Sequence, residues 1–356
     1  IKNIIKNIIK NIIKNIIKNI IKNIIKNIIK NIIKNIIKNI IKNIIKTIHH
    51  KILTNMLSIR IQGGLGNQLF MVFATIAYGI QKNVKIVYEY YYEILNRHTY
   101  WETFLDGFKV FTTENPENNV TNEDISKFKV YQEPDFIYKP IPDFGNNNVC
   151  LHGYFQSYKY FEMYKDQLFS LLKLNEKKEA ILNESKYSKY FEKKENTNLI
   201  SMHFRMGDYK QKRHYHPIMN YEYFESSLDY IMNNMNNSNR PVRILYFCEA
   251  EDNEYVKSKI DLLNSKYPEA EFMKVDDSIE DYHQLLIMSL CNHNIMSNST
   301  YSWWGSYFNS YDAKIVCYPS VWFGICYKHT NDQRDMMPES WIKIECNPIH
   351  YNLPLV

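Results

Sequence analysis

Glycine and proline are scarce, at 10 and 11 of 356 residues, while Ile, Asn, Lys and Tyr are used heavily. That balance reads as a coding sequence rich in A and T and says little about chemistry. The six cysteines, at positions 150, 248, 291, 317, 326 and 346, form no CxxC and accompany no paired histidine spacing. This excludes the common zinc and redox motifs. Cys248, Cys291 and Cys317 lie in apolar runs and are expected in the core. No apolar stretch reaches the roughly 18 uncharged residues that mark a membrane span, and nothing resembles a secretory leader. The expected setting is the reducing interior of a cell, cytoplasmic or peripheral to a membrane. Acidic residues are missing altogether from the first 46 positions, a strict IKNI repeat with twelve lysines from Lys2 to Lys46. Setting those twelve aside from the 44 basic residues leaves 32 against 38 acidic ones, a charge of −6 for the rest of the chain. The basic balance belongs to the repeat, so a nucleic-acid partner for the whole protein is excluded.

A four-residue period drifts by roughly 40° per repeat on an α-helix, so the isoleucine stripe of residues 1–46 would wind around the rod. Ile and Asn are mediocre helix formers, and lysines four apart repel. The repeat is expected to be a helical or disordered tail that self-associates weakly or lies on a membrane surface.

The remaining 310 or so residues suit two α/β domains better than one core. Leu57–Gln62 alternates as a strand, Gly63, Gly64 and Gly66 make a turn, and Asn67–Lys82 has helical apolar spacing. Val84–Tyr90 reads as the next strand, completing a βαβ opening. Residues 96–142 are aromatic, polar and broken by prolines; only Lys129–Gln132 reads as a strand there. Val149–Tyr154 is a further strand, followed by helices near Tyr158–Leu172 and Glu176–Phe191. The charged run EKKENTN, Glu192–Asn198, marks a domain boundary. Beyond it strands are expected at Leu199–Phe204, Val242–Cys248, Glu271–Val275, His293–Ser297 and Lys314–Tyr318. Helices fit between them at Tyr221–Asn234, Asn253–Lys266, Ile279–Cys291 and Tyr301–Tyr311. Regular β–α alternation means a parallel, doubly wound sheet. The expected organisation is a repeat at 1–46, an N-terminal α/β domain at 55–195, a C-terminal Rossmann-like domain at 196–330 and a terminal segment at 331–356.

Three clusters carry chemistry. In ISMHFRMGDY, Ile200–Tyr209, an apolar strand delivers His203 and Arg205 on one face and stops at Gly207 and Asp208. Strand ends of open α/β sheets form the ligand crevice, where an arginine can hold an anion; pairing of Arg205 with Asp208 is the plainer alternative. In GGLGNQLF, Gly63–Phe70, the spacing is not the G-x-G-x-x-G of a dinucleotide site. Its glycines permit close backbone approach, and Asn67 falls at a helix start as a cap or a ligand donor. Gln68 is unexplained by a turn alone. In SNSTYSWWGSY, Ser297–Tyr307, Ser299 and Thr300 sit where a helix start can hold phosphate or be capped. Trp303 and Trp304 fit the core. The sequon Asn298-Ser299-Thr300 falls in a strand-to-helix turn, a poor acceptor for glycosylation. Asp281 is either a solvated carboxylate or a partner for a base or ribose. Glu249, Glu251 and Asp252 raise the question of a metal, but no D-x-D is present.

GGLGNQLF, GYFQSYKYF (Gly153–Phe161), HFRMGDY, CNHNIMSNSTYSWWGSYFN (Cys291–Asn309) and DMMPESW (Asp335–Trp341) occur in the order seen in the α-1,2-fucosyltransferases. On these blocks the chain resembles glycosyltransferase family 11 over residues 57 to 341. The resemblance implies a GT-B-like fold of two Rossmann-like domains facing a cleft, with GDP-fucose as donor substrate. It further implies inverting transfer to a sugar hydroxyl, usually of galactose, without metal or other cofactor. Arg205 matches the arginine of H-x-R-R-G-D that holds the donor pyrophosphate, and His203 the histidine near guanine. Asn67 matches the donor-facing asparagine, Ser299 and Thr300 the phosphate-holding pair, and Asp281 a carboxylate near the nucleoside. The second arginine of the motif is Met206 here, which weakens the phosphate grip and points away from Arg205 if the strand continues.

Chemically, the developing charge on GDP must be neutralised for it to leave, and Arg205 with the helix start at Ser299 can do so. Asp208 is the nearest candidate for a general base, or else positions Arg205. The expected activity is a galactoside α-1,2-fucosyltransferase. The alternatives are a fucosyltransferase of other acceptor or linkage, or a non-catalytic nucleotide-sugar-binding scaffold. Acceptor choice is expected to lie in Tyr88–Pro142.

Overall fold

The computed structural model describes residues 55–236, 239–327 and 331–349; the expectations for the repeat at 1–46 lie outside the described residues. The first strand, β1 (Met56–Ile59), runs into the glycine turn and then α1 (Leu65–Lys82), whose apolar spacing buries most of its length. Asn83 closes α1 in the left-handed region, its N–H returning to Gly79 O. This is an asparagine in the role usually taken by a C-terminal glycine. The short β2 (Lys85–Ile86) pairs with β1. A hairpin follows, β3 (Glu93–Ile94) and β4 (Arg97–His98), then β5 (Lys129–Gln132) and β6 (Val149–His152). β2, β1, β6 and β5 form, in that order, a four-stranded parallel sheet. Two helices, α2 (Lys165–Leu172) and α3 (Leu174–Asn183), lead away from it.

The second sheet starts with β7 (Asn198–His203), all six residues buried, as a strand covered on both faces requires. It continues through α4 (Tyr221–Asn234), β8 (Val242–Phe247), α5 (Asn253–Lys266) and β9 (Ala270–Lys274). After that come α6 (Asp281–Ser289), β10 (His293–Ile295), α7 (Thr300–Tyr307), β11 (Val316–Pro319) and β12 (Ile342–Ile344). Its six parallel strands lie in the order β12-β11-β10-β7-β8-β9. Counted from β7 that is 3-2-1-4-5-6, the doubly wound order whose direction of winding reverses between β7 and β10.

The two sheets are joined by aromatic packing between α1 and α7. Phe70 lies 4.5 Å from Trp303 and 5.1 Å from Trp304, and Phe73 lies 4.7 Å from Trp304, ring centre to ring centre. Trp304 Nε1 donates to Gly66 O at 2.9 Å, and Trp303 Nε1 to Met336 O at 3.1 Å. Both indoles are fully buried with their polar atoms satisfied.

Several expectations need correction. The helix read over Tyr158–Leu172 opens with two 3-10 turns, at Tyr158–Tyr160 and Glu162–Tyr164. The helix read over Glu176–Phe191 ends at Asn183, where Glu184 turns extended between two weak helix formers, Asn183 and Ser185. The C-terminal segment supplies β12, and residues 96–142 hide the hairpin's second strand. The strand expected over Leu199–Phe204 stops at His203, so alternation does not reach Arg205 and Met206. Met206 is nevertheless buried, in the core of the second sheet.

Candidate active site

The crevice at the strand-order reversal lies beyond the carboxyl ends of β7 and β10. His203 ends β7 and is buried; its Nδ1 lies 3.1 Å from Ser297 Oγ, and its ring centre 5.5 Å from that of Tyr301. Burial, and after it the Arg205 charge, lower its pKa to about 3, so the imidazole is neutral at physiological pH.

Arg205 stands two residues past the strand. Its Nη2 donates to Asp208 Oδ1 at 2.5 Å, its Nη1 to Glu249, and its guanidinium lies 4.9 Å from the Tyr209 ring centre. Gly207 makes this possible: its φ is +36, and a Cβ there would strike the Glu249 carboxylate. Lys212 at 3.3 Å and Arg97 of β4 at 3.7 Å also face Asp208. Burial works against the Asp208 charge, but Arg205 above all, then Lys212 and Arg97, hold its pKa below the usual carboxylate range. Engaged by three cations, Asp208 orients Arg205 better than it could accept a proton.

The other acids after β8 are likewise taken. Lys210 Nζ lies 2.7 Å from both Glu251 and Asp252, and Asp252 accepts the Gly207 N–H at 2.9 Å. Among the described residues no group of three or more His, Cys, Asp or Glu is placed to hold a metal ion.

α7 is polarised by its surroundings. Buried Lys178 donates to Phe308 O, and Lys314 donates to Ser306 O at 3.0 Å and Asn309 O at 2.6 Å. Cations therefore compensate the helix's carboxyl end. At the other end Ser299 is the N-cap residue, and no side chain caps the helix. No side-chain cap therefore competes with an anion for the positive helix end, although the Gly66 backbone packs against Thr300 and Tyr301 there. Tyr209 links this helix start to the Arg205 turn, its hydroxyl donating to Asn298 O at 3.3 Å.

Thr300 Oγ1 reaches the other sheet, donating to Asn67 Oδ1 at 2.8 Å; Gln156 Nε2 donates to the same oxygen at 3.0 Å. Asn67 is not a cap, since α1 starts at Leu65 with Gly64 as its N-cap residue. Its carbonyl is occupied, which leaves its amide N–H groups for a further acceptor. Gln68 now has its reason: buried, it donates to Gly63 O at 2.9 Å and His98 O at 2.7 Å, fastening the glycine turn to the hairpin. Asp281 opens α6. Tyr100 donates to its Oδ2 and Tyr301 to its main-chain oxygen. Burial, and then Asp281, raise the Tyr100 pKa, so the phenol keeps its proton.

One chain of contacts therefore gathers Asn67, His203, Arg205, Asp208, Asp281, Ser299 and Thr300. Sequence reasoning missed Arg97, Tyr100 and Gln156, and it raised Glu249 only as a metal question and Tyr209 only as the end of a motif, not as partners of Arg205. Gln156 had a signal in its place within GYFQSYKYF, and Tyr209 in its place within HFRMGDY.

A crevice at a winding reversal, with a guanidinium, an uncapped helix start and a carboxylate on the preceding helix, defines a site for an anionic, nucleotide-like ligand. The model of glycosyl transferase family 11 matches residues 56–345, and the chain belongs to that family. It is a glycosyltransferase that draws on a nucleotide-sugar donor. The chain is 27% identical to the O-antigen biosynthesis glycosyltransferase WbnK of Escherichia coli, over 80% of this chain and 99% of that protein. It is 24% identical to an alpha-1,2-colitosyltransferase of Escherichia coli, over 80% of this chain and 98% of that one. The crystal structure of the fucosyltransferase NodZ from Bradyrhizobium aligns with a TM-score of 0.39 at 10% identity, over 70% of this chain and 92% of that one. No helix among the described residues is long and apolar enough to cross a membrane.

Proposed function

We propose that the protein transfers L-fucose from GDP-fucose, with inversion, to a hydroxyl of an acceptor sugar. The observation that carries this is Arg205, held by Asp208 and Glu249 beside the uncapped start of α7. The donor diphosphate would take the guanidinium and the helix N–H groups. Neutral His203 and Asp281 would face the nucleoside, and Asn67 would donate to a phosphate or sugar oxygen. An acceptor hydroxyl attacks the anomeric carbon from the face opposite the diphosphate. The bond to the phosphate oxygen breaks as the new glycosidic bond forms, and the hydroxyl proton passes to solvent or a base. Arg205 and the helix end stabilise the charge left on GDP, the term that dominates such a barrier.

The 2-hydroxyl of galactose is the first acceptor to test. A second reading, another acceptor or a related 6-deoxy sugar, is favoured by the relative named as an alpha-1,2-colitosyltransferase. Colitose is fucose without its 3-hydroxyl, so one donor pocket shape can serve both. The test is incubation with GDP-fucose, or with a colitose donor, against a panel of galactosides and other hexosides, followed by linkage analysis. A fucosyl-α-1,2-galactoside supports the first reading. A product with another sugar or linkage supports the second. GDP binding without any product would leave a nucleotide-sugar-binding scaffold.

A further inference from the structure

We propose that the β3–β4 hairpin is the acceptor platform, on which Tyr92 stacks against the apolar face of a terminal hexopyranoside. This rests on the transferase reading above. The hairpin turns on Leu95 and Asn96, both at positive φ (50° and 59°), the geometry of a two-residue turn that usually recruits glycine or asparagine. A leucine there is strained, and it is 89% exposed; Tyr92 is 63% and Tyr91 42% exposed. Three large apolar side chains within five residues therefore stand in water on a strained arm.

The arm is fastened at its stem. Gln68 donates to His98 O, the Thr99 N–H donates to Tyr92 O at 3.0 Å, and buried Trp101 stacks on Tyr88 at 5.3 Å between ring centres. His98 meets the Tyr92 ring edge-on at 5.6 Å, adding a polar group beside an aromatic face. The same arm reaches the donor side through Arg97, which faces Asp208, the partner of Arg205. The arm that carries the rings thus also touches the carboxylate that holds Arg205. Aromatic faces pack against the C–H face of a pyranose and leave its hydroxyls to polar neighbours, the combination an acceptor sugar needs.

The experiment is a binding screen of the full chain against immobilised glycans ending in galactose, glucose, mannose or N-acetylglucosamine. It compares wild type with Tyr91→Ala/Tyr92→Ala and with Tyr92→Phe. GDP affinity is measured in parallel by calorimetry and thermal melting. Wild type is expected to hold at least one glycan class. The double variant should lose about tenfold or more in glycan affinity while GDP affinity and Tm stay within error, and Tyr92→Phe should retain binding. Equal glycan binding by wild type and double variant overturns the proposal, as does a wild type that binds no glycan. Failure of the donor reading shows separately, as a wild type that does not bind GDP.

Discussion

Gly66 on α1 lies so close to Thr300 on α7 that a Cβ added to it would sit 2.5 Å from the Thr300 carbonyl carbon and 2.6 Å from Tyr301 N. The contact is backbone to backbone, so no side chain can swing aside. Trp304 donates to the Gly66 carbonyl at the same place. The two helix starts are thus held together by the absence of one methyl group, and Asn67 and Thr300 meet because of it.

Gly66→Ala is accordingly expected to force α1 and α7 apart. Overpacking of this kind costs about 1–3 kcal/mol. The Asn67–Thr300 bond should lengthen with it, so donor KM is expected to rise along with a fall in Tm. Turnover and melting of the alanine variant decide the matter; wild-type values for both would show that the helices can separate freely.

Arg205→Ala removes the guanidinium that stands two residues beyond β7. A loss of roughly a hundredfold or more in kcat/KM is expected from losing charge stabilisation on the leaving group. The fold should survive, because the Arg205 side chain contacts the Tyr209 ring and two partly exposed carboxylates instead of filling the core. Unchanged turnover would remove Arg205 from the mechanism.

How much of this was legible in the sequence follows from the reach of each contact. The alternation from β7 to β11 was readable because each strand and helix announces itself within ten residues; α4 and α5 fall on their expected bounds, Tyr221–Asn234 and Asn253–Lys266. The hairpin was not, since its strands have two residues each and its turn lacks glycine. The site was readable where a cluster is local, as for His203, Arg205 and Asp208. Glu249 lies 44 residues from Arg205, and Tyr100 lies 181 from Asp281. Nothing in either neighbourhood points to its partner. The alternation argument, which turned Met206 away from Arg205, takes a route that fails, because β7 ends three residues before it; Met206 is buried in the core of the second sheet instead.

Glu249→Gln tests whether the ion pair competes with substrate. Glu249 is half exposed and pairs with the Arg205 nitrogen that a phosphate would approach. Pairs of this exposure contribute about 0.2–1 kcal/mol. Donor KM is therefore expected to fall by about 1.4- to fivefold with little change in kcat. A rise in KM would instead make Glu249 a positioning residue that keeps Arg205 in place.

A pH prediction rests on Glu133, just beyond β5. Its Oε2 accepts the N–H groups of Tyr154 at 2.7 Å and Phe155 at 3.0 Å, next to Gln156 and so to Asn67. Burial pushes its pKa from 4.5 up to about 7, and the two N–H groups only partly oppose this. Between those pH values the folded chain holds a proton that the unfolded chain has released. Stability from this group is therefore full below about pH 4.5 and is lost as pH rises through 7. Glutamine keeps a carbonyl for the two N–H groups and cannot ionise. Glu133→Gln should match wild type in Tm at pH 4.5 and exceed it at pH 8, the gap opening between the two. Taking the difference between the two melting curves cancels the opposite trend of His203, whose neutral form is favoured on folding. Parallel curves from pH 4.5 to 8 would mean that Glu133 ionises in the folded protein as freely as in water.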